Sequence, residues 1–523
     1  MAQLSTTFAR WLRRYQRRLV GARLEINVAG GIEHMTTTSG INEPGFGAGD
    51  WLTRLQQAGE LHTVSAEVDW DLELAEIAKR SGPGPALEFS NIKDHKDSIA
   101  TRVLINGISS KRRILMLLQL PDDTSNAELV VELRKRIAHP IAPDIVEFSR
   151  IKENIIKGSD IDLYQFPIPK WNPLDGGRYI DNFAGTVTRD PETGELNLGV
   201  YRGMIASRNR ISKLLQPHQH WGIHYQKYKA LNREMPVAVV YGSDDIIPIV
   251  GGSPFSHPPD EYTIAGGFRQ APIQLIKCET NDLLVPADAE FVIEGRVSTN
   301  PDDFHTEGPF GEWTGFYGWS RKRPTIEVDC ITHRNNPIFR AGGLSEIGRV
   351  FQYILAALMW DYLEKAGVPG VLDIMTTAFG TVVKIQKRFA GHARHVAATI
   401  FGSLISKEYV KVITVVDDDV DIHDQTAVQR AMHHRIDFKD DVVIFPGMGG
   451  TTLDPASPDE LRNELMYGAT PTNKVLFDAT IDWVKHPIRE EYGNQRFPPS
   501  SHEQDPDIID LVDRRWTEYG IGD

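Results

Sequence analysis

Hydrophobic residues near the start of the predicted fold recur first at helical spacing and then as in a strand. DWLTRLQQAGEL and DLELAEIAKRSG have apolar residues three and four positions apart, whereas IATRVL reads as a strand. Leu129, Leu133 and Ile137 share one face of a further predicted helix, which ends at Pro140. This pattern predicts a small N-terminal α/β domain over residues 46–140.

Short segments with alternating apolar residues fill the middle of the chain, from about Tyr164 to Arg323. Turns rich in Gly, Pro and Asp separate them. In DNFAGTVTRDPETGELNLGVYRGMI, the residues from Asp190 to Gly194 join two strand-like runs as a hairpin. The segment predicts a β-barrel or sandwich core, which we assign to residues 141–325.

Helices and strands alternate again after Pro324. A long apolar helix is predicted near residues 346–366, and VKVITVV, at 410–416, has the β-branched run of a buried parallel strand. These elements predict a doubly wound α/β domain over residues 326–486. The tail, residues 487–523, is polar and ends in an amphipathic helix, DPDIIDLVDRRWTEYG, which we expect to pack on a neighbouring subunit.

The composition narrows the class of protein. A net charge of -14 supplies no basic stripe, so we expect no nucleic-acid partner. The longest apolar runs fall short of the roughly 20 residues that cross a bilayer, so we expect no membrane span. Cys278 and Cys330 lie in strand-like segments without CxxC spacing. We interpret them as buried thiols in a reducing, cytoplasmic compartment.

Residues 1–45 are predicted to form a disordered extension outside the fold. Six Arg and no acidic residue precede Glu25, a composition that a transit peptide can share. From Met35 the sequence becomes ordinary. We therefore interpret residues 1–34 as an upstream extension or as the result of a misassigned start codon.

The sharpest candidate for chemistry is EGPFGE, from Glu307 to Glu312. Pro309 and two glycines favour a fixed loop over a helix. Such a loop can direct both carboxylates into one cavity, where each raises the pKa of the other and one can serve as a general acid. The alternative is a loop with two solvated acids.

Two further segments carry candidate residues. In NLGVYRGM, Arg202 alternates to the same side as Val200 and Met204, which predicts a buried arginine in need of a carboxylate partner. An arginine at a strand edge is the alternative. In QPHQHWGIH and the later PPDEYTIAGG, imidazole and carboxylate groups without thiolates suit Mn²⁺ or Mg²⁺ better than structural zinc. Surface histidines are the alternative there.

Taken in order, several motifs resemble the UbiD-type decarboxylases, which include ubiquinone-pathway hydroxybenzoate carboxy-lyases and ferulic acid decarboxylases. The motifs are NLGVYR, QH, DEYTIAGGFR, IKCETNDLLVPADAEFVIEG, EGPFGEWTGFY and VVDDDVD, between about Asp50 and Thr480. The resemblance implies a flavin-reductase-like split β-barrel that carries prenylated FMN, between an N-terminal α/β unit and a C-terminal α/β domain. That last domain would mediate a homodimer or a higher oligomer, and a flavin prenyltransferase would supply the cofactor.

The resemblance also implies the site residues. Arg202, Glu307 and Glu312 correspond to the catalytic set of the family, with Glu312 as the proton donor. The residues that would bind the cofactor are Asn197, Arg202, Ser253, Pro254, Glu261 and Lys407. The ligands of a divalent metal, Mn²⁺ or Mg²⁺, would be Asn197, His220 and Glu261, with His218 as the alternative histidine. A K⁺ ion is expected beside this metal.

The implied reaction is the reversible, non-oxidative decarboxylation of an aromatic, heteroaromatic or α,β-unsaturated acid through a covalent adduct with prenylated FMN. The segment 340–367 differs from the ubiquinone-pathway members, where the family shapes its substrate pocket. That difference argues against a ubiquinone precursor and leaves polycyclic, phenolic and cinnamate-type acids open. The rival hypotheses are an FMN-dependent oxidoreductase on the same barrel and a non-enzymatic, flavin-binding assembly subunit of a multi-subunit carboxylase.

Overall fold

A computed structural model describes residues 46–255, 260–377, 380–462, 470–498 and 505–521. The prediction for residues 1–45 therefore lies outside the described residues. The helices are α1 Ala48–Gln57, α2 Glu73–Ser81, α3 Lys111–Leu117, α4 Asn126–Ile137, α5 His220–Ala230, α6 Ile246–Gly251, α7 Glu261–Arg269, α8 Leu344–Lys365, α9 His392–Phe401, α10 Leu404–Tyr409, α11 Gln425–Arg435 and α12 Pro506–Arg515.

The strands make up five sheets. They are β1 Leu61–Val64, β2 Ala86–Phe89, β3 Arg102–Ile105, β4 Asp144–Ile145, β5 Asn154–Lys157, β6 Gly185–Arg189, β7 Leu196–Gly199, β8 Gly203–Ser207, β9 Arg210–Lys213, β10 Met235–Tyr241, β11 Gln274–Lys277, β12 Leu284–Pro286, β13 Phe291–Val297, β14 His305–Glu307, β15 Arg321–Arg323, β16 Thr325–His333, β17 Ile338–Arg340, β18 Val371–Thr377, β19 Gly380–Ile385, β20 Val412–Val416, β21 Val442–Gly450 and β22 Thr470–Ala479.

The first sheet has the order β1-β2-β3-β17 and lies at the N-terminal end of the fold. Helix α4 begins with a complete capping box, in which Ser125 and Glu128 satisfy each other's backbone N–H groups. Its predicted face, which includes Leu129 and Leu133, is buried. The helices and strand predicted for this part of the chain are confirmed.

The central sheet is antiparallel, with the order β7-β6-β10-β13-β16-β9-β8 and with β5 paired to β16. Its edge strands β7 and β8 are joined by only three residues, 200–202. Six strand intervals laid flat would span roughly 29 Å, whereas the link from Gly199 to Gly203 reaches at most about 14 Å. The sheet must therefore curl until its edges approach each other, which gives a half-barrel.

The C-terminal sheet has the order β18-β19-β20-β22-β21. The predicted strand at 410–416 is β20, which is largely buried and pairs in parallel with β19 and β22. Neighbouring residues of β19 face opposite sides, because Val383 belongs to the buried cluster that includes α9 and Val382 to the cluster that includes α11. Helices thus cover both faces of this sheet.

Strand pairing also crosses the predicted domain boundary between residues 325 and 326. Strand β16 begins at Thr325 and belongs to the central sheet, and β17 joins the first sheet in parallel with β3. The long helix α8 follows, close to the predicted range. The structure is a mixed α/β fold with a curled half-barrel sheet, and the division into domains stays a prediction.

Two sequence predictions concern chemical environment. Cys278 and Cys330 are buried free thiols, as predicted, and burial raises the pKa of Cys330 to about 12. Within the described ranges, no helix has the length and apolar character needed to cross a membrane. The tail helix α12 is present and leaves Ile508, Ile509 and Leu511 exposed.

Candidate active site

Arg202 lies buried between two carboxylates. Its Nε donates to Glu307 Oε1 at 2.9 Å and its Nη2 to Glu307 Oε2 at 3.0 Å, which makes a two-pronged ion pair. Its Nη1 donates to Glu312 Oε1. The side chains of Arg202, Glu307 and Glu312 are 9%, 1% and 9% exposed. The three residues singled out in the sequence therefore meet at one point.

The link between β7 and β8 carries Arg202. The sequence prediction of a continuous strand through NLGVYRGM was wrong, because β7 and β8 are opposite edges of the half-barrel and the chain leaves the sheet between Gly199 and Gly203. The arginine is nevertheless fixed, since its carbonyl accepts the N–H of Leu214 at 3.2 Å. The predicted burial and the predicted carboxylate partner are both present.

A loop carries the second carboxylate. Glu307 ends β14, and Glu312 lies on the connection to β15. The N–H of Glu312 donates to Phe316 O at 2.9 Å, which closes a turn. Gly318 packs against the arginine, because a Cβ added there would lie 3.0 Å from Arg202 Nη1. The predicted loop is present and both acids contact Arg202, but Glu307 itself ends a strand and only Glu312 lines the adjacent cavity.

Residues 172–179, which we call the clamp segment, hold this loop in place through hydrogen bonds and close packing. The N–H of Gly176 donates to Pro309 O at 2.9 Å, and the N–H of Gly311 donates to Asp175 Oδ1 at 2.9 Å. A Cβ at Gly176 would lie 2.3 Å from Gly308 O, so only glycine allows this approach. Sequence reasoning missed the clamp segment, although Asp175, Gly176 and Gly177 together are a turn signal.

Tyr179 also went unnoticed in the sequence. It is fully buried, its hydroxyl donates to Glu307 Oε1 at 2.9 Å, and its ring packs on Phe310 with centroids 4.2 Å apart. Burial and the neighbouring charge of Glu307 raise the pKa of the Tyr179 hydroxyl well above its usual value. The phenol therefore stays protonated and remains a donor to Glu307.

A cavity of about 170 Å³ opens beside Arg202 and Glu312. Its walls come from the half-barrel, from the Glu312 loop and from the C-terminal part of the chain. The lining residues are Val200, Tyr201, Arg202, Leu214, Gln216, Gln219, Glu312, Trp313, Tyr409, Thr451 and Leu453. A charged end and aromatic walls make it suitable for a planar molecule that carries a carboxylate.

Asn197, His220 and Glu261 lie near one another beside this cavity. Asn197 is on β7, and Glu261 Oε2 accepts the N–H of the next residue, Leu198, at 3.2 Å. His220 and Glu261 are the first residues of α5 and α7, and His220 Nδ1 lies 3.8 Å from Glu261 Oε1. Tyr201, which lines the cavity, hydrogen-bonds the side chain of Asn197.

The donor set fits a divalent cation. An amide oxygen, an imidazole nitrogen and a carboxylate oxygen suit Mn²⁺ or Mg²⁺ completed by phosphate or water. No group of three His, Cys, Asp or Glu side chains placed to hold a metal ion occurs in the part of the chain that the structure describes. The set of Asn197, His220 and Glu261 contains only two residues of those types and has an amide as its third member.

The remaining predicted contacts are less direct. Ser253 and Pro254 follow α6, and the Ser253 hydroxyl donates to Ile249 O at 2.7 Å. Among the described residues, neither of them lines the cavity. Lys407 is on α10, two positions before the cavity residue Tyr409, and its Cγ would lie 3.2 Å from a Cβ at Gly449. Its stem therefore packs on β21.

Comparison with known proteins gives the family. Models of three domains of 3-octaprenyl-4-hydroxybenzoate carboxy-lyase match the chain, the N-terminal domain over residues 52–133, the Rift-related domain over residues 145–344 and the C-terminal domain over residues 350–479. A phenolic acid decarboxylase of Streptomyces sp. (strain D7) is 31% identical over 438 residues, which cover 80% of this chain and 91% of that protein.

Solved structures have the same fold. The UbiD-class enzyme HmfF from Pelotomaculum thermopropionicum, in complex with FMN, has a TM-score of 0.76 and 27% identity, with 89% of this chain and 99% of that one covered. The closed form of vanillic acid decarboxylase from Sedimentibacter hydroxybenzoicus has a TM-score of 0.76 and 27% identity, with 91% and 99% covered. The matched family models and the decarboxylases among its relatives show that the chain is a carboxy-lyase. The chain belongs to the UbiD family.

Proposed function

We propose that this protein catalyses the reversible, non-oxidative decarboxylation of an aromatic, heteroaromatic or α,β-unsaturated carboxylic acid. The observation that carries the proposal is the buried set of Arg202, Glu307 and Glu312 at the end of a cavity with aromatic walls. The names of the phenolic acid and vanillic acid decarboxylases among its relatives support the same substrate class.

Loss of CO₂ from an unsaturated carbon needs an electron acceptor that the side chains of the site do not supply. When bound, prenylated FMN would take up the electrons of the breaking C–C bond through a covalent adduct with the substrate. We propose that Asn197, His220 and Glu261 hold Mn²⁺ or Mg²⁺ at the flavin phosphate, with K⁺ nearby. We prefer His220 to His218 because His220 Nδ1 faces Glu261.

The protein's own residues orient the substrate and move one proton. Arg202 donates from both sides of its guanidinium group, so it can align the two acids and the substrate carboxylate. Glu307 is already held by Arg202 and Tyr179, which leaves it to balance charge. We assign Glu312 as the general acid that protonates the substrate carbon after CO₂ leaves.

The selection of substrate follows from the walls of the cavity. Leu214, Trp313 and Leu453 are apolar or aromatic and line the cavity together with its charged residues. Among the described residues, the lining includes none from the segment 340–367, so we expect these walls to decide the size of the acid.

The wider arrangement is part of the same proposal. We propose that residues 141–325 form a flavin-reductase-like split barrel for the flavin, with Ser253, Pro254 and Lys407 as further contacts to it. Residues 46–140 would form the N-terminal α/β domain. Residues 326–486 would form a doubly wound domain that joins subunits into a homodimer or higher oligomer in the cytoplasm, and the tail after residue 487 would pack on a neighbour. A flavin prenyltransferase would supply the cofactor.

The test is to identify the cofactor and the reaction together. We would co-express the chain with a flavin prenyltransferase, record the absorption spectrum and the intact mass of the cofactor, and measure CO₂ release from a panel of aromatic acids. Prenylated FMN with CO₂ release supports the proposal. Ordinary FMN with consumption of nicotinamide, and no CO₂, would instead identify an FMN-dependent oxidoreductase.

A further inference from the structure

A series of hydrogen-bonded, buried polar side chains begins at Asn197 and includes none of the residues that line the cavity. Asn197 and Thr188 are directly opposite each other in the pairing of β7 with β6, so their side chains lie on the same face of the sheet. Asn197 Nδ2 donates to Thr188 Oγ1 at 3.5 Å. Thr188 is fully buried, so its hydroxyl depends on protein partners.

His224 continues this chain. It lies one helical turn after His220 on α5, and its Nδ1 is 2.9 Å from Thr188 Oγ1. On the other side of the ring, Nε2 lies 3.8 Å from Asp190 Oδ2. Asp190 is held in turn by Lys227 Nζ at 2.7 Å and by the N–H of Glu192 at 2.8 Å.

The donors and acceptors can be assigned one by one. A threonine hydroxyl has one hydrogen and two lone pairs, so Thr188 can accept from Asn197 and still donate its own hydrogen to a second partner. His224 Nδ1 is that second partner at hydrogen-bond distance, and in the tautomer with its hydrogen on Nε2 it accepts from Thr188. The two hydrogens of Asn197 Nδ2 then serve Thr188 and the hydroxyl oxygen of Tyr201, so the amide oxygen Oδ1 is the atom that remains for a cation.

We propose that Thr188 and His224 are positioning residues that orient the carboxamide of Asn197 so that its oxygen, and not its nitrogen, faces the divalent cation. The inference rests on the metal site of the proposed function. It assigns to His224 a role beside the metal site and not in it. Because α5 carries both His220 and His224, the same contact also fixes His220 relative to Asn197.

Hydrogen bonds to a ligand from behind usually change metal affinity by roughly 10- to 100-fold. We would use the flavin-loaded protein, remove its metal with a chelator and titrate it with Mn²⁺, with the free ion followed by electron paramagnetic resonance. Thr188→Val removes the hydroxyl at constant shape, and Thr188→Ser restores it. Thr332→Val is the matched control, since it removes a buried hydroxyl from β16 of the same sheet.

The expected result is that Thr188→Val and His224→Phe each weaken Mn²⁺ binding roughly tenfold or more, while Thr188→Ser and Thr332→Val bind as the wild type does. The double variant should lose no more than Thr188→Val alone, because His224 acts through Thr188. Unchanged affinity in folded variants, or losses that add in the double variant, would overturn the proposal.

Two further measurements distinguish a variant that fails to fold, and a metal site that is wrong, from failure of the inference itself. If Thr188→Val does not fold, Asp190→Asn can replace it, because this variant weakens the contact of Asp190 with His224. It should lower Mn²⁺ affinity to a smaller extent. Unchanged affinity would overturn the inference. A wild type that binds no Mn²⁺, or a Glu261→Gln variant that binds it normally, would show that the metal site itself is wrong. In that case the inference falls with the proposed function.

Discussion

A guanidinium group between two buried carboxylates leaves one negative charge unbalanced if both acids are ionised. Burial of unpaired charge is expensive, so the donors available to each acid decide what it can do. Glu307 already has Arg202 and Tyr179 as donors, whereas Glu312 contacts Arg202 and faces the cavity. At the scale of single residues, the proton of the proposed reaction therefore belongs on Glu312.

Tyr179→Phe should slow decarboxylation by roughly tenfold and lower the free energy of unfolding by about 1.5–3 kcal/mol. The variant loses the hydrogen bond to Glu307, and hydrogen bonds to charged groups contribute about 1.5–3 kcal/mol, while the ring contact with Phe310 remains. The rate constant kcat and the thermal midpoint would be measured together.

Tyr225→Phe is the matched control for that variant. The Tyr225 hydroxyl also bonds a buried acceptor, Ser298 O at 3.2 Å, but it lies outside the acid cluster. The control should keep full activity. Equal activity in both variants would contradict the role given to Tyr179.

Residue-scale prediction succeeded where chemistry is encoded locally. Glu307 and Glu312 lie within one short motif, and Pro309 with two glycines already indicates a fixed loop. Tyr179 is 128 positions from Glu307 along the chain, and its contact exists only through the folding of the clamp segment against the loop. No local pattern contains that information.

At the scale of elements, the clamp segment is the part that sets the geometry of the acids. Gly176→Ala should displace the loop around Glu312 and reduce activity by more than tenfold. The added methyl group would meet Gly308 O at 2.3 Å, and such overpacking typically costs about 1–3 kcal/mol. Steady-state kinetics and urea unfolding would measure both effects.

Gly348→Ala provides the comparison for this glycine. It lies within α8, and no atom is within 4 Å of an added Cβ. Since alanine favours a helix by about 1 kcal/mol over glycine, this variant should be active and slightly more stable. A Gly176→Ala variant that behaves the same way would show that the clamp segment does not set the loop.

The buried amino group of Lys474 should make the stability of the protein depend on pH. Burial lowers the pKa of this lysine on β22 to about 8, although its Nζ donates to the carbonyl group of Ser406. The unfolded chain has a lysine pKa near roughly 10.4, so the unfolded state binds more protons between these two values and stability rises with pH across that window. Below pH 8 the full cost of burying the charge is present.

Lys474→Met should therefore raise the thermal midpoint at pH 7 and remove the rise between about pH 8 and 10.4. Thermal unfolding at several pH values would measure it, with Lys411→Met as the control, because Lys411 is about half exposed. If the thermal midpoint of Lys474→Met rises with pH as much as that of the wild type, the pH dependence comes from other groups.

The sequence predicted correctly whether a segment is a helix or a strand where its apolar periodicity is strong. The helix at 126–137, the long helix α8 and the parallel strand β20 follow from apolar spacing. The strand through Arg202 was not predicted correctly, because short strand-like runs look alike whether the chain stays in one sheet or crosses between its edges. Pairing partners, and not local pattern, decide where β7 ends.

At the scale of the whole molecule, sequence order hides the arrangement that makes the site. Strands β7 and β8 are neighbours along the chain and opposite edges of the sheet, and this curl brings Arg202 to the seam. The cavity combines residues near positions 201, 313 and 451. Those contacts span 250 residues of sequence, so only the resemblance to a family, and not periodicity, could indicate them beforehand.

The most direct test of Glu312 as the general acid is steady-state CO₂ release by Glu312→Gln, measured over many turnovers as labelled CO₂ from a carboxyl-labelled acid that the wild type accepts. Cofactor content must first be shown to equal that of the wild type. The steady-state rate of CO₂ release should fall by roughly 100-fold or more, as expected for removal of a general acid. A variant with a full complement of cofactor that still releases CO₂ at the wild-type rate would contradict it.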